Sequence, residues 1–456
     1  MPEFVYLSRI LASAEEVFAW HSRPGAFERL QPPWESVRVE ERTGSIKDGD
    51  RIVVQTRLGP FWIRWVAEHR EYIEGRQFRD IQLRGPFAKW AHTHCFEPDG
   101  SDACILEDRI EYLLPFGPLG NLLGKRFTLK KLNRMFAYRH QTTIQDLAAH
   151  RFYKGGRTMK ILVTGSTGLI GSALVPFLTT AGHQVVRMVR SKPTDGDQIQ
   201  WDPYSGSLDK SKLEGFDAIV HLSGENIAGR WTAAKKAKLR DSRIKSTRLL
   251  SKTLAELQKP PKVWVCASAM GYYGHRGNEI MKENSPPGKS FLAETVQEWE
   301  AQVQPAIKKG IRVVNLRTGI VLSPAGGALK EMLLPFKMGV GGVIGSGEQY
   351  WSWIAIDDVV GAIYHCITTE SLQGAVNVVS PNPATNREFS KTLGRVLSRP
   401  AIFPLPAFVA RMVFGEMAEE LLLSSIRVEP AKLQATGYPF RYFDLEGALR
   451  HVLGRA

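Results

Sequence analysis

Alternation of apolar and polar residues dominates the first third of the chain and predicts an antiparallel β-structure. A short strand at Phe4–Leu7 is followed by a helix that opens at Ser13. Five later runs alternate over lengths suited to antiparallel strands, namely RIVVQTRL, FWIRWVAEHREYI, FRDIQLR, KWAHTHCFE and CILEDRIEYLL. After the interrupting stretch PFGPLGN the period becomes helical, which predicts a long helix from Leu122 to Ala149.

A different pattern begins at Met159, where short apolar runs alternate with helical ones. An apolar strand at Lys160–Thr164 leads through a glycine-rich turn into a helix at Leu169–Thr180 and a second strand at Gln184–Val189. Three more strands follow, the first ending at Trp201–Asp202 and the others spanning Asp217–Leu222 and Val263–Cys266. This order predicts an α/β Rossmann fold with a doubly wound parallel sheet.

The segment RFYKGGRTMK separates the two patterns and reads as a linker, since it contains two glycines and four basic residues. A methionine and a lysine directly before the first Rossmann strand indicate that two once separate units were joined near Met159. We therefore predict a first domain over residues 1–150, a linker over 151–158, a Rossmann domain over 159–400, and a C-terminal extension over 401–456 that completes the substrate side.

The sharpest local motif is a strand–turn–helix junction with a glycine at every third position. Its seven residues are Gly165, Ser166, Thr167, Gly168, Leu169, Ile170 and Gly171. The first glycine allows a tight turn, the second lets the backbone approach a pyrophosphate, and the third lets the helix pack close to the strand. The helix N-terminus offers N–H donors and a positive dipole end to phosphates. We assign these seven residues to a dinucleotide cofactor, the alternative being a purely structural turn.

The end of the second strand indicates which dinucleotide. Arg190 stands where an NAD site typically has an acidic residue that accepts hydrogen bonds from the ribose 2′-hydroxyl. An arginine can instead bind a 2′-phosphate through forked, charged hydrogen bonds. Arg187 and Lys192 make this strand end strongly basic. The sequence therefore favours NADP(H) over NAD(H), the alternative being a solvated arginine at a strand end.

Small residues follow the strand predicted at Asp217–Leu222 and leave room for the nicotinamide ribose. We assign Leu222, Ser223 and Gly224 to the cofactor. We place three further residues on the substrate side. They are Glu225 and Asn226, which come next in the chain, and Arg243, from the basic stretch between Arg230 and Arg248.

Ordered segments after Met159 resemble the epimerase-like subgroup of the extended short-chain dehydrogenases/reductases. Besides the glycine spacing, these segments are HLSGENIAGRWT, KLRDSRIKSTRLL, SAMGYYG, FLAETVQEWE, LRTGIVLSPAGGAL, GGVIGSGEQYWSWI, NVVSPNP, RPAIFPLPAF and GYPFRYFDLEGAL. The resemblance covers nearly all of residues 159–456. It implies an NADP-binding protein, with Asp202 at the point that often meets the adenine amino group.

The first domain resembles the START-like, or polyketide-cyclase-like, proteins. The resemblance rests on a sheet wrapped around a long C-terminal helix and on the segments LEDRIEYLLPFGPLG and FAYRH. It implies an α+β helix-grip fold, and such domains commonly hold an apolar ligand between the sheet and the helix.

The resemblance also shows where the catalytic residues depart from the family. The family uses a serine or threonine, and a tyrosine with a lysine four residues later. Ser268 matches the serine, whereas SAMGYYG aligns on either Tyr272 or Tyr273. In the helix that should carry the Tyr/Lys pair, Phe291 and Thr295 occupy the corresponding positions. The standard pair is therefore absent. Either Tyr272 or Tyr273 supplies a proton instead, or both pack as aromatic loop residues.

Several other polar residues are predicted to be structural. His92 and His94 share one face of a strand without a nearby third ligand, so no metal is predicted. Asp358, in the segment WSWIAIDDVVGAI, is predicted to cap the helix that follows. The four cysteines form no ligand cluster and predict buried thiols in a reducing compartment.

Composition and charge change this picture little. The chain is 43% hydrophobic and 23% charged, as is usual for a globular protein. A net charge of +14 would suit a polyanion, but no nucleic-acid motif accompanies it, so no nucleic-acid partner is predicted. No apolar run approaches the roughly 18 residues of a membrane span. The N-terminus lacks a signal sequence, and a cytoplasmic location is predicted.

Two functions follow from these observations. The first is an NADP(H)-dependent oxidoreductase or epimerase that acts on a small-molecule substrate. The second is a non-catalytic sensor or carrier that holds NADP(H) in one domain and an apolar ligand in the other. A third interpretation makes the first domain an independent lipid carrier tethered to the second. The sequence does not determine the oligomeric state.

Overall fold

The computed structural model describes residues 2–153 and 157–455. These residues form two compact units, which divide between Tyr153 and Arg157, except that the short segment Thr179–Gly182 is grouped with the first unit. Lys154, Gly155 and Gly156, which belong to the predicted linker, lie outside the described residues. No helix in the described part of the chain has the length and apolar character needed to cross a bilayer.

The first unit is a seven-stranded antiparallel sheet with three helices. Its strands are β1 (Glu3–Ile10), β2 (Val37–Arg42), β3 (Arg51–Leu58), β4 (Phe61–Ile73), β5 (Gln77–Arg84), β6 (Lys89–Pro98) and β7 (Cys104–Leu113). Its helices are α1 (Ala14–Ser22), α2 (Ala26–Arg29) and α3 (Gly117–Phe152). The strand order is β1-β7-β6-β5-β4-β3-β2. The predicted helix-grip fold is confirmed, because the long helix α3 packs on this sheet through Leu132 and Phe136, against Phe4 and Ile110.

Three local details of the first unit differ from the sequence prediction. The helix α3 begins at Gly117, five residues before the predicted start, since Pro118, the second proline of PFGPLGN, falls in the first turn, where no N–H is needed. The strand β1 is longer than predicted. Sequence patterning missed β2, whose residues after Val37 are exposed, so its sequence VRVEER carries little apolar signal.

The second unit is built on an eight-stranded sheet. Its strands are β8 (Lys160–Thr164), β9 (Gln184–Val189), β10 (Gln198–Asp202), β11 (Ser207–Leu208), β12 (Ala218–His221), β13 (Val263–Ala269), β15 (Arg312–Thr318) and β19 (Gly374–Val378). Short strand pairs outside this sheet use β14 (Ile280–Met281), β16 (Ile320–Leu322), β17 (Tyr350–Trp351), β18 (Trp353–Ala355), β20 (Ala384–Thr385) and β21 (Arg427–Val428). The helices are α4 (Leu169–Thr180), α5 (Ala233–Ala255), α6 (Phe291–Ala301), α7 (Gln304–Lys308), α8 (Gly327–Lys337), α9 (Ile356–Thr368), α10 (Asn386–Leu397), α11 (Ala407–Phe414), α12 (Ala431–Ala435) and α13 (Leu445–Leu453).

The strand order of this sheet confirms the predicted Rossmann fold. The order is β11-β10-β9-β8-β12-β13-β15-β19, and all pairs except β10–β11 are parallel. The strands that follow β8 in the chain therefore extend the sheet toward one edge, and the strands from β12 onward extend it toward the other edge. In doubly wound sheets a crevice opens at this reversal, beyond the carboxyl ends of the two strands.

The C-terminal segment folds back onto the Rossmann unit. Strand β21 pairs in parallel with β14, and α13 packs beside α10. The prediction that Asp358 caps a helix is wrong. Asp358 lies inside α9, after the N-cap residue Ala355, and its carboxylate accepts the backbone N–H groups of Arg441 and Tyr442 at 2.7 and 3.1 Å. Asp358 thus fixes the C-terminal segment.

Candidate functional site

The glycine loop, residues 165–171, lies at the carboxyl end of β8, where the sheet order reverses. Gly165 has φ of +69°, a conformation that favours glycine. A Cβ atom on Gly165 would lie 2.7 Å from the carbonyl carbon of Leu222. The loop therefore runs in backbone contact with the end of β12, and only glycine fits at its first position.

The third glycine of the loop is constrained just as closely. A Cβ atom on Gly171 would lie 2.2 Å from the carbonyl oxygen of Gly165 and 2.7 Å from Cα of Ser166. At Gly168 the nearest atom would be 3.3 Å away, and Gly168 and Thr167 are exposed. The loop thus folds tightly on the protein side and presents bare backbone at the start of α4, the geometry that a phosphate-binding turn requires.

Buried hydrogen bonds hold the ends of β8 and β12 together beneath the loop. The hydroxyl of Thr164 contacts Nδ1 of His221 at 2.7 Å and accepts from the hydroxyl of Ser223 at 2.9 Å. Nε2 of His221 lies 3.1 Å from the hydroxyl of Thr247 in α5. Burial lowers the pKa of His221 to about 3, so this imidazole is neutral and links the two strands without charge.

The exposed Arg190 follows β9 directly, and no carboxylate among the described residues forms an ion pair with it. Arg187, three residues earlier, does form an ion pair, because its Nη2 lies 2.6 Å from a carboxylate oxygen of Asp195. The carboxyl of Asp202 has a lowered pKa, chiefly because it accepts the backbone N–H of Tyr204, with a smaller contribution from the charge of Arg190. Arg190 and Asp202 thus lie near each other at the ends of β9 and β10.

The loop after β12 is held by the basic helix α5. The carboxylate of Glu225 accepts from Nζ of Lys235 at 2.7 Å. Arg243 donates to the backbone oxygens of Leu239 and Glu225 at 2.9 and 3.1 Å, and its guanidinium lies against Gly224. The exposed Asn226 accepts the N–H of Ala228 through its side chain. The structure therefore brings Glu225 and Arg243 together, and the hydrogen bonds of Arg243 fix the course of this loop.

Ser268 lies inside β13, which continues to Ala269 beyond the predicted end at Cys266. Its hydroxyl donates to Glu300 of α6 at 2.5 Å. The same carboxylate accepts from Nε and Nη2 of Arg317 in β15 at 2.9 and 2.8 Å. Neither Glu300 nor Arg317 is prominent in the sequence, because a lone glutamate in a helix and a lone arginine in a strand are unremarkable until the elements pack. The hydroxyl of Ser268 is thus hydrogen-bonded to the carboxylate of a buried ion pair.

The two candidate tyrosines differ sharply in their surroundings. Tyr273 is fully buried and donates to Oδ1 of Asn377 at 2.6 Å. It also accepts from Nη1 of Arg317 at 3.1 Å, and burial raises its pKa. Tyr272 is partly exposed, its ring stacks 3.3 Å from the guanidinium carbon of Arg317, and among the described residues no group hydrogen-bonds its hydroxyl. Of the two phenols, Tyr272 is therefore the one free to meet a bound molecule.

The helix α6 carries no acid–base pair at the positions singled out in the sequence. Phe291 lies at its first turn and packs with Trp231 and the ammonium group of Lys236. Thr295 is buried. Glu420 of the C-terminal segment accepts from the hydroxyl of the N-cap residue Ser290 at 2.7 Å. The C-terminal segment therefore covers the start of this helix.

A second site lies in the first unit, where a cavity of about 900 Å³ opens between the sheet and α3. Apolar side chains from strands and helix line most of it, among them Val54, Trp65, Phe87, Leu132 and Met135. Its volume falls within the range of roughly 300–1,000 Å³ for small-molecule sites.

Four polar residues that line this cavity lie close together, namely His69, Asp80, His92 and His94. Behind them, the carboxylate of Asp108 contacts His92 and His140. The prediction that His92 and His94 have no third ligand nearby is wrong. Antiparallel pairing of β5 with β6 places Asp80 opposite His92, and its carboxylate lies 3.5 Å from Nε2 of His94. Sequence patterning could not find this neighbour, because the strand register joins residues that are distant along the chain.

Comparisons with known proteins agree with the two folds. Residues 161–379 match the model of the NAD dependent epimerase/dehydratase family. Residues 10–135 match polyketide cyclase / dehydrase and lipid transport, and residues 405–452 match a domain of unknown function, DUF1731. The chain is 42% identical over 296 residues to the epimerase family protein Mb2239 of Mycobacterium bovis, which covers 65% of this chain and 98% of that protein.

Two solved structures are similar. A protein described as the nucleoside-diphosphate sugar epimerase from Corynebacterium glutamicum has a TM-score of 0.82 and 32% identity, covering 99% of this chain and 90% of that one. Human epimerase family protein SDR39U1, solved with NADPH, has a TM-score of 0.60 and 38% identity, covering 64% of this chain and 99% of that one.

Proposed function

The chain belongs to the epimerase family of NAD(P)-binding proteins, and from this premise we propose that its second unit is an NADP(H)-dependent oxidoreductase or epimerase. It acts on a small molecule bound at the carboxyl edge of the sheet, while the first unit binds an apolar ligand in its cavity. The observation that carries the proposal is the arrangement at the carboxyl ends of the paired strands β8 and β9. Arg190, after β9, is exposed and has no ion-pair partner in the part of the chain that the structure describes, and the glycine loop after β8 leaves no room for a Cβ at Gly165 or Gly171.

Three features support NADP(H) as the cofactor. The bare backbone of Gly168 at the start of α4 suits the pyrophosphate. Arg190 has its guanidinium available for a 2′-phosphate, whereas Arg187 is engaged by Asp195. The human relative, at 38% identity, is described as solved with NADPH. When bound, NADP(H) supplies or accepts a hydride, and the chain's own residues orient the substrate and move the proton.

Arg190→Ala is expected to weaken NADPH binding by about 10–100-fold, because the variant loses charged hydrogen bonds of about 1.5–3 kcal/mol. NADH, which lacks the 2′-phosphate, should bind the variant and the parent protein equally. Isothermal titration of both cofactors measures this directly. The control is Lys192→Ala, which removes an exposed positive charge two residues away. Equal losses for NADPH and NADH would contradict the 2′-phosphate assignment.

Tyr272 is the group that the geometry favours for proton transfer. No group that the structure describes hydrogen-bonds its hydroxyl, and the stacked guanidinium of Arg317 fixes the ring position. Tyr273 and Ser268 act as positioning residues in this proposal, because Asn377 and Glu300 already engage their hydroxyls.

Tyr272→Phe is expected to lower kcat by about 100-fold or more, the usual contribution of a positioned acid–base group. The readouts are NADPH oxidation with aldehydes and ketones, and epimerisation of nucleoside-diphosphate sugars. Affinity for NADPH should not change. Tyr273→Phe is the matched control, and it should lower stability by about 1–3 kcal/mol through lost buried hydrogen bonds. Full turnover in Tyr272→Phe would exclude this residue from the chemistry.

One observation favours a non-catalytic alternative, in which the chain senses or carries NADP(H). Phe291 and Thr295 fill the positions that resemble the family's proton-transfer pair, and both are packed against protein. Tight NADPH binding without turnover on any of these substrates would support this alternative.

A further inference from the structure

We propose that Asp80, His92 and His94 bind one divalent transition-metal ion, of the zinc or ferrous iron class, at the polar end of the first-unit cavity. This inference concerns the first unit alone and is independent of the proposed NADP(H) chemistry. It rests on the positions of three donor side chains, on a second carboxylate behind them and on the open cavity in front.

The three side chains converge because of the strand register. Asp80 on β5 lies opposite His92 on β6, and His94 lies two residues further along, so its side chain points to the same face. Both histidines are buried, and all three residues line the cavity. Two adjacent strands of a sheet thus present two imidazoles and one carboxylate to a common point, on rigid elements rather than on loops.

The distances suit a shared ion. One carboxylate oxygen of Asp80 lies 3.5 Å from Nε2 of His94 and 3.9 Å from Nδ1 of His92. One donor atom from each of the three residues can be chosen so that all lie within 4.8 Å of one another. Two ligands bound at about 2.1 Å to one tetrahedral ion are about 3.4 Å apart. Small ring rotations therefore suffice to bring the donors onto one ion.

In each of the two imidazoles, the nitrogen that faces away from Asp80 contacts a second carboxylate, that of Asp108. Oδ1 of Asp108 lies 2.7 Å from Nε2 of His92 and 2.6 Å from Nδ1 of His94. Its other oxygen lies 2.6 Å from Nε2 of His140. Metal-bound histidines almost always pass their other N–H to a carboxylate or carbonyl, which fixes the tautomer and the ring orientation. Asp108 therefore leaves the opposite nitrogen of each ring directed toward Asp80.

Charge balance also favours a cation. Asp108 is buried and Asp80 is mostly buried, and their charges are costly beside an apolar cavity unless positive charge compensates them. One oxygen of Asp80 already contacts Nδ1 of His69 at 2.5 Å, and a divalent ion on its other oxygen, bound by neutral imidazoles, would supply the remaining charge. Two nitrogens and one carboxylate are ligands that suit zinc and ferrous iron. A three-residue set leaves coordination positions open, and here they face the 900 Å³ cavity, where water or the polar group of a ligand can bind.

The test uses the full-length, untagged protein after removal of bound metal with a chelator. Titration with Zn²⁺ by calorimetry, and with Co²⁺ by its visible absorption, is expected to show one ion per chain. Asp80→Asn and His94→Gln should abolish that binding. Asp108→Asn, which keeps the three ligands, should weaken it by about 10–100-fold.

His21→Gln is the matched control, because His21 lines the same cavity but bonds to the backbone oxygen of Val17 and lies outside the triad. It should bind the ion as the parent protein does. Circular dichroism of each variant verifies folding, and the titration of the parent protein needs no variant at all. Failure of the stripped parent protein to take up Zn²⁺ and Co²⁺ would overturn the proposal, as would unchanged uptake by folded His94→Gln.

Discussion

Gly171→Ala is expected to lower the affinity for NADPH by at least about 100-fold and to destabilise the second unit. The added methyl would lie 2.2 Å from the carbonyl oxygen of Gly165 and 2.7 Å from Cα of Ser166. Both are backbone atoms of the glycine loop, so the clash cannot be relieved by rotating a side chain. The loop must move away from the start of α4, where phosphate would bind, and overpacking of this kind costs about 1–3 kcal/mol.

Fluorescence titration with NADPH and thermal unfolding measure the two effects of Gly171→Ala together. Gly196→Ala is the control, because a Cβ there meets no atom within 4 Å. It should leave affinity and unfolding temperature unchanged. A Gly171→Ala variant that binds NADPH like the parent protein would mean that the loop does not form the cofactor site.

Arg317→Met is expected to lower the free energy of unfolding by about 3–5 kcal/mol, because it leaves a buried carboxylate without its partner. The side chain of Arg317 is 5% exposed and that of Glu300 is 14% exposed. Arg317 donates twice to Glu300, once to Tyr273, and stacks on Tyr272. Its loss therefore also releases the ring proposed for proton transfer, and kcat should fall with stability.

Urea denaturation of Arg317→Met, Glu300→Gln and the double variant measures the coupling between the two residues. The double variant should be more stable than Arg317→Met, since no charge is then left buried. Arg240→Met breaks a bidentate but exposed ion pair with Glu298 and serves as the control, with an expected cost of less than about 1 kcal/mol. Equal costs for the buried and the exposed pair would refute a structural role for the Arg317–Glu300 pair.

Much of the fold could be predicted from the sequence because its signals are local. The bounds of β8, α4 and β9 agree with the prediction, since an apolar strand, a glycine turn and a helix follow one another within thirty residues. Alternation likewise marked the strands of the first unit that bury one face. In β2, neither face of the strand is buried, so its sequence does not alternate clearly and the pattern predicted no strand there.

The choice between the two tyrosines could not be made from the sequence. Tyr272 and Tyr273 are adjacent, and no local pattern distinguishes them. Asn377 and Arg317, which engage the hydroxyl of Tyr273, come from strands far along the chain. The sequence likewise did not indicate that Ser268 lies inside β13, and its hydrogen bond to Glu300 depends on how α6 packs against that strand.

By itself, the sequence determined the two folds, the glycine loop and the basic strand end at Arg190, because each depends on residues close together in the chain. Only the tertiary structure decided that Ser268 and Tyr273 are held by a buried ion pair and that Asp80 lies beside His92 and His94. The physical reason is that strand register and helix packing bring together side chains whose sequence separation leaves no pattern to detect.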